Sequence, residues 1–305
     1  METNEEYVTV EEGVHLFVQT LGSGPKTVLV PNRIYLFDAL KTLADGRTLI
    51  FCDPRNRGRS SGISDASKLE RGIHHDVDDL EAVRRHFGMR HVDLIGHSYM
   101  GLTVVLYAMK YPDHVGRVVQ IGPMAPDSTK QYTAHLTNVD AVLGEVLARL
   151  GELQKERQSH DPREFCRKFW AILRVLYVAD PADADRLEWE PCDLPNEMTF
   201  MKQWNEHVMP TIQRLNLNAD EIAKAKAPVL VIHGRKDRSA PYGGGRDWAL
   251  RLPNARLVTV DSAAHVPWIE DPVEVFRALE TFLNGAWPET AEKVESLDDT
   301  APAAL

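Results

Sequence analysis

The stretch Asp93-Leu94-Ile95-Gly96-His97-Ser98-Tyr99-Met100-Gly101 constrains this chain more than any other. Residues 92–95 form a short apolar-rich run that stops at Gly96. Residues 99–111 then carry Leu102, Val105, Leu106 and Met109 at helical spacing. A strand that turns into a helix within so few residues leaves the Ser98 hydroxyl projecting from the sheet, with a helix N-terminus beneath it. Gly96 lets strand and helix approach closely, and the Tyr99 amide can donate to a developing oxyanion. The plainer role for Ser98 is a helix N-cap.

The same strand–helix alternation runs through much of the chain. Residues 15–20, 27–30, 48–52 and 117–121 read as strands, and residues 74–87 as a helix with Val77, Leu80, Val83 and Phe87 on one face. From about residue 124 the pattern changes: residues 139–153, 162–177 and 197–214 read as helices, with no strand evident. Alternation resumes with a strand over 228–232, a helix over 246–252, a strand over 255–260 and a helix over 272–283. Short strands separated by single helices predict βαβ units and a mainly parallel sheet flanked by helices. The expected organisation is an α/β core over 1–123 and 228–286, a helical cap over 124–227 inserted between strands 6 and 7, and a flexible, Glu-, Asp-, Ala- and Pro-rich tail over 287–305.

Composition excludes several classes. The 305 residues include 35 Lys and Arg against 45 Asp and Glu, a net charge of −10 that repels phosphate backbones, so no nucleic-acid partner is expected. No run of 18 apolar residues exists, so no membrane span is expected. The acidic N-terminus lacks the layout of a signal peptide, which predicts a cytoplasmic protein. Cys52, Cys166 and Cys192 show no C-x-x-C spacing and are read as structural thiols. His74-His75-Asp76 is read as a helix start rather than a metal site, and H-E-x-x-H, a P-loop and a dinucleotide fingerprint are absent. The expectation is no cofactor, no metal and a small-molecule substrate, with the chain a monomer or homodimer.

A neutral serine needs an adjacent base. His265 follows the strand over 255–260, with small residues before it and Pro267 soon after, which places its imidazole in a loop at a strand's carboxyl end. Asp237 lies in the turn after the strand ending at Ile232 and can orient that imidazole. Asp237 could also be an ordinary turn residue, and Asp261 is read as a loop cap. His97 is read as packing beside the nucleophile.

These segments together resemble the α/β-hydrolase family over about residues 13–285. Gly96-His97-Ser98-Tyr99-Met100 resembles its G-x-S-x-G nucleophile turn, with Met100 in place of the second glycine and Gly101 one residue later. Gly234-Arg235-Lys236-Asp237 is similar to the family's acid turn, and the stretch from Ser262 to Pro272 to its histidine loop. The resemblance implies the order Ser98, Asp237, His265; Asp127 is the rival acid, because some members place theirs after the sixth strand. Pro31-Asn32 stands where the family has His-Gly, which implies that the Arg33 amide, or that of Ile34, is the second oxyanion donor beside Tyr99. Asn32 would serve there by tolerating positive φ. The loop Asp53-Pro54-Arg55-Asn56-Arg57-Gly58-Arg59-Ser60 resembles Asp-x-Arg-Gly-x-Gly-x-Ser and is read as structural despite its three arginines.

The resemblance implies a capped serine hydrolase, with an ester or related acyl bond as substrate and an acyl-enzyme as intermediate. Phe169, Trp170, Leu173, Tyr177, Trp189, Met198, Phe200, Met201 and Trp204 are candidate cap residues, most of them cap core. Tyr35, Met100, Trp204 and Trp268 are the candidate substrate contacts. Glu188, Glu190, Glu197 and Glu206 leave open a proline iminopeptidase-like aminopeptidase, a branch that holds a substrate's amino terminus with cap acids. A slow-turnover ligand-binding module stays open too, as does a lyase or perhydrolase with the same triad, because one fold hosts many chemistries.

Overall fold

Each apolar run is a strand buried on both faces. In the computed structural model, which describes residues 3–157 and 161–297, eight strands form one sheet in the order β1-β2-β4-β3-β5-β6-β7-β8. They are β1 (Thr3–Glu11), β2 (Val14–Leu21), β3 (Lys26–Val30), β4 (Arg47–Cys52), β5 (Val92–His97), β6 (Val115–Ile121), β7 (Val229–Gly234) and β8 (Ala255–Val260). The β1–β2 and β2–β4 pairs are antiparallel and the rest parallel. The helices are α1 (Arg33–Leu40), α2 (Ile73–His86), α3 (Tyr99–Lys110), α4 (Ala141–Lys155), α5 (Pro162–Leu173), α6 (Glu197–Gln203), α7 (Met209–Gln213), α8 (Ala219–Ile222), α9 (Tyr242–Arg251), α10 (Pro267–Glu270) and α11 (Pro272–Leu283).

Side chains alternate across the sheet with period two. Leu29, Leu94, Val118, Val231 and Leu257 pack with Val77, Tyr107 and Trp248 of α2, α3 and α9. Their neighbours Val30, Ile95, Val119, Ile232 and Val258 pack with Leu36, Leu40, Leu279 and Phe282 of α1 and α11. Helices on both faces explain why the parallel strands read as near-continuous apolar runs. From β3 the chain pairs with β4 on one side and β5 on the other, so strand order reverses there. Such a switch opens a crevice at the carboxyl ends of the strands.

The helices between β6 and β7 carry a small core of their own, built from Val146, Leu153, Phe165, Ile172 and Leu176. Here the structure corrects the thiol reading: Cys166 and Cys192 form a disulfide across 26 residues, and Cys52 alone is free and buried. Closing a loop of that length is worth about 3.5 kcal/mol in the chain-entropy account.

Some boundaries also differ. The helix expected over 162–177 ends at Leu173 and tightens to a 3₁₀ turn over Arg174–Tyr177. That expected over 197–214 is α6 and α7 joined by a π turn over Trp204–Val208, just ahead of Pro210, which has no amide to continue an α-helical ladder. The tail expected to be mobile is packed as far as it is described. Glu292 pairs with Leu257, Trp287 lies 5.0 Å from Phe282, and Ala291 and Val294 are buried. Residues 298–305 lie outside the described residues. Among the described residues no helix is long and apolar enough to cross a membrane.

Candidate active site

The turn after β5 is built to expose one hydroxyl. A Cβ on Gly96 would lie 2.2 Å from the Met100 carbonyl oxygen, so only glycine lets α3 start this close to the strand. Ser98 takes φ 59°, ψ −127°, and its side chain makes no capping hydrogen bond, unlike an ordinary N-cap. The surroundings hold this strained conformation: the Ser98 amide donates to Ile121 O (3.0 Å), and its carbonyl accepts from Gly101 N (2.9 Å) and Met124 N (3.2 Å). The side chain is half-buried at the crevice end of β5.

His265 and Asp237 meet beside it. His265 Nδ1 donates to Asp237 Oδ2 at 2.7 Å, with both side chains fully buried. A Cβ on Gly122, next to the Ile121 carbonyl that holds Ser98, would lie 3.1 Å from His265 Nδ1 and 3.3 Å from Asp237 Oδ2. The Ser98 backbone, the imidazole and the carboxylate therefore share one neighbourhood. Burial alone would raise the Asp237 carboxyl. The charge of His265 and hydrogen bonds from His233 and His265 outweigh it and hold the group well below the usual carboxylate range. The Ser239 and Ala240 amides each donate to Oδ1 at 2.8 Å. His265 Nε2 is buried and has no hydrogen-bond partner, so its lone pair is available.

Two further histidines fix this pair. His97 Nε2 donates to the His265 carbonyl at 3.0 Å, its ring 4.4 Å from that of His265. Burial, then the adjacent His265, pushes His97 far down, so it stays neutral. His233, which sequence reasoning did not single out, places Nε2 3.0 Å from Ala240 O and 3.2 Å from Asp237 Oδ2. Its signal lay in the glycines of residues 243–245: a Cβ on Gly245 would lie 2.2 Å from His233 Nδ1, so α9 begins earlier than its apolar pattern suggests.

The rival acids lie elsewhere. Asp127 is exposed and accepts from Thr129 N and Oγ1 in its own turn (2.9 and 2.7 Å). Asp261 is exposed and pairs with Arg235. Arg33 begins α1 and Tyr99 begins α3 on adjacent parallel strands, so both sets of first-turn amides open onto the same sheet edge. The Arg33 side chain turns to Gln19 (2.7 Å), leaving its amide as the group at that edge. Asn32 has φ −158°, on the negative side, so the positive-φ argument made for it is wrong. That argument belongs to Asn56, at φ 59° in the loop after β4.

The segment between β6 and β7 contacts this edge. Tyr177 accepts from His265 N (3.0 Å), and its ring lies 4.8 Å from the imidazole. Arg238 donates to the Val178 and Ala179 carbonyls, while Glu270 accepts from Ala179 N and Ala264 N, tying the acid and histidine turns to this segment. Trp170 and Trp189 pack on Tyr35, and Phe200 and Trp204 on Tyr99. Phe169, Leu173 and Met201 belong instead to the segment's own core, and Met198 is half-buried. Met100, expected as a substrate contact, is buried in the core beside Leu16, Cys52 and Leu80. Trp268 stands edge-on to His97 at 4.8 Å within the α11 core. His75 and Asp76 are buried on α2, and among the described residues no His, Cys, Asp and Glu cluster has the form of a metal site.

Residues 31–272 match the family model described as alpha/beta hydrolase fold. The chain is 26% identical over 270 residues to a bifunctional esterase/perhydrolase of Acinetobacter calcoaceticus, covering 85% of this chain and 92% of that one. It is 23% identical over 257 residues to a proline iminopeptidase of Heyndrickxia coagulans, covering 82% and 86%. Among solved structures, an esterase from Exiguobacterium antarcticum is similar in fold, with a TM-score of 0.71 at 17% identity, covering 92% of this chain and 100% of that one.

Proposed function

The chain belongs to the α/β-hydrolase fold family, and from that premise we propose that it is a serine hydrolase that cleaves a carboxylic ester through Ser98, His265 and Asp237. The observation that carries the reading is the buried Asp237–His265 hydrogen bond of 2.7 Å, with His265 Nε2 left bare in the neighbourhood of a strained Ser98. Ser98 Oγ attacks the ester carbonyl, and His265 Nε2 takes its proton. Asp237 holds the other ring nitrogen as the donor and stabilises the imidazolium that forms. The Tyr99 and Arg33 amides receive the oxyanion; one such donor typically contributes about 10²–10³ in rate. His265 protonates the departing alcohol, then draws a proton from water that releases the acid from the acyl-enzyme. The segment over 124–227 is the cap: it covers the crevice and excludes bulk water.

An aminopeptidase would need an inward-facing free acid. Glu188, Glu190 and Glu206 are exposed, and Glu197, the one buried cap acid of the four, lies against the buried Arg57 guanidinium, whose positive charge repels a substrate ammonium there. The geometry therefore favours the ester reading. On short p-nitrophenyl esters, Ser98→Ala lowers kcat by about 10⁶ with an unchanged thermal midpoint. A variant that keeps most of its turnover would overturn the assignment.

A further inference from the structure

The three arginines after β4 have different fates. Arg55 is saturated by Asp79, Glu11 and the Lys68 carbonyl, and Arg59 pairs with Glu5 at the surface. Arg57, 4% exposed, points under the cap. Its Nε and Nη2 donate to the two oxygens of Glu197 at 3.1 and 3.0 Å, and Nη2 donates to the Tyr35 hydroxyl at 2.7 Å. The Phe200 ring lies 4.2 Å from the guanidinium carbon and the Tyr35 ring 5.0 Å. The buried Tyr99 hydroxyl lies beside Arg57 but makes no hydrogen bond of good geometry.

This is a finished carboxylate receptor: a guanidinium fork, a phenol beside it and aromatic walls. The carboxylate now in it comes from Glu197 of the segment between β6 and β7. Asn196, the neighbour of Glu197, donates to the Gly58 and Ser60 carbonyls, so the start of α6 is clipped to the Arg57 loop and any opening there draws Glu197 away. A buried arginine stripped of its partner demands another anion. Tyr99 links this receptor to the chemistry: its amide begins the helix at the oxyanion edge, while its hydroxyl borders Arg57.

We propose that Arg57 selects substrates whose acyl group ends in a second, free carboxylate, with Glu197 as the placeholder that the substrate carboxylate displaces. The substrate class is thus the half-esters of dicarboxylic acids. Water and the half-ester give the dicarboxylic acid and the alcohol, with no co-reactant. Because the acyl group stays on Ser98 through the intermediate, a charge held at Arg57 acts on both half-reactions. This inference rests on the ester reading for its turnover but not for its binding.

The test compares monomethyl and dimethyl esters of succinic, glutaric and adipic acids, together with calorimetric titration of glutarate. The wild type favours a half-ester over its diester in kcat/KM, and Arg57→Gln lowers that preference about 10- to 100-fold, the loss expected for charge-assisted hydrogen bonds. Arg57→Met/Glu197→Met replaces the ion pair with apolar side chains and guards against misfolding from a lone buried charge; it loses both the preference and glutarate binding. Equal preference in all three proteins, or undiminished glutarate binding by the double variant, would overturn the proposal. If no ester is cleaved but glutarate binding depends on Arg57, the nucleophile assignment falls and the receptor stands. If esters are cleaved with no charge preference, the receptor falls and the nucleophile stands.

Discussion

Ser98 occupies a backbone region that costs a non-glycine residue roughly 1–3 kcal/mol. The strain orients the hydroxyl and contributes nothing to stability. Ser98→Gly should therefore be more stable than Ser98→Ala by about 1 kcal/mol, because glycine adopts positive φ freely and alanine does not. Urea midpoints of the two variants measure this; a more stable alanine variant would mean that the turn relaxes in solution. The same backbone logic shows what single residues revealed. The turn at Ser98 and the pairing of His265 with Asp237 were legible from the strands that precede them. The role of Asn32 was misread, because which of two asparagines holds positive φ depends on loop paths that the sequence does not display. His233 went unseen because a histidine ending an apolar strand looks like core until the glycines of α9 are seen to press against it.

At the scale of elements, β5 carries an acidic residue beside its apolar core. Burial raises the Asp93 carboxyl to about 6, against the opposing charge and amide of Arg117. The native chain thus binds this proton more tightly than the unfolded chain, and stability falls as pH rises from the ordinary carboxylate range through about 6. Asp93→Asn keeps an acceptor without the buried charge. It should add about 2 kcal/mol above pH 6 and almost nothing near pH 4; equal gains at both pH values in thermal melts would contradict the burial argument. The parallel strands were readable because both faces are covered by helices. β1 was not, since this antiparallel edge strand is largely exposed, and Glu5 and Glu6 gave it the look of a polar N-terminus. The packed stretch after α11 was missed for a related reason: a single bridge to Leu257 and a few buried side chains leave no periodicity to read.

Across the whole molecule, the topology explains how distant residues come together. Residues 98, 237 and 265 each follow a parallel strand, so their loops open at one sheet edge, and the strand before Ser98 adjoins the switch in strand order. That much follows from strand–helix alternation. What covers the edge does not: Glu197 reaches Arg57 across 140 residues, and the Cys166–Cys192 disulfide forms inside a segment whose sequence shows only helical periodicity. The central claim is that Ser98 is a nucleophile activated by His265 and Asp237, and a fluorophosphonate probe followed by peptide mass spectrometry tests it most directly. The account predicts one phosphonyl group per chain, added rapidly on the peptide that contains Ser98 and lost in His265→Ala. No adduct, or an adduct on another residue, would contradict it.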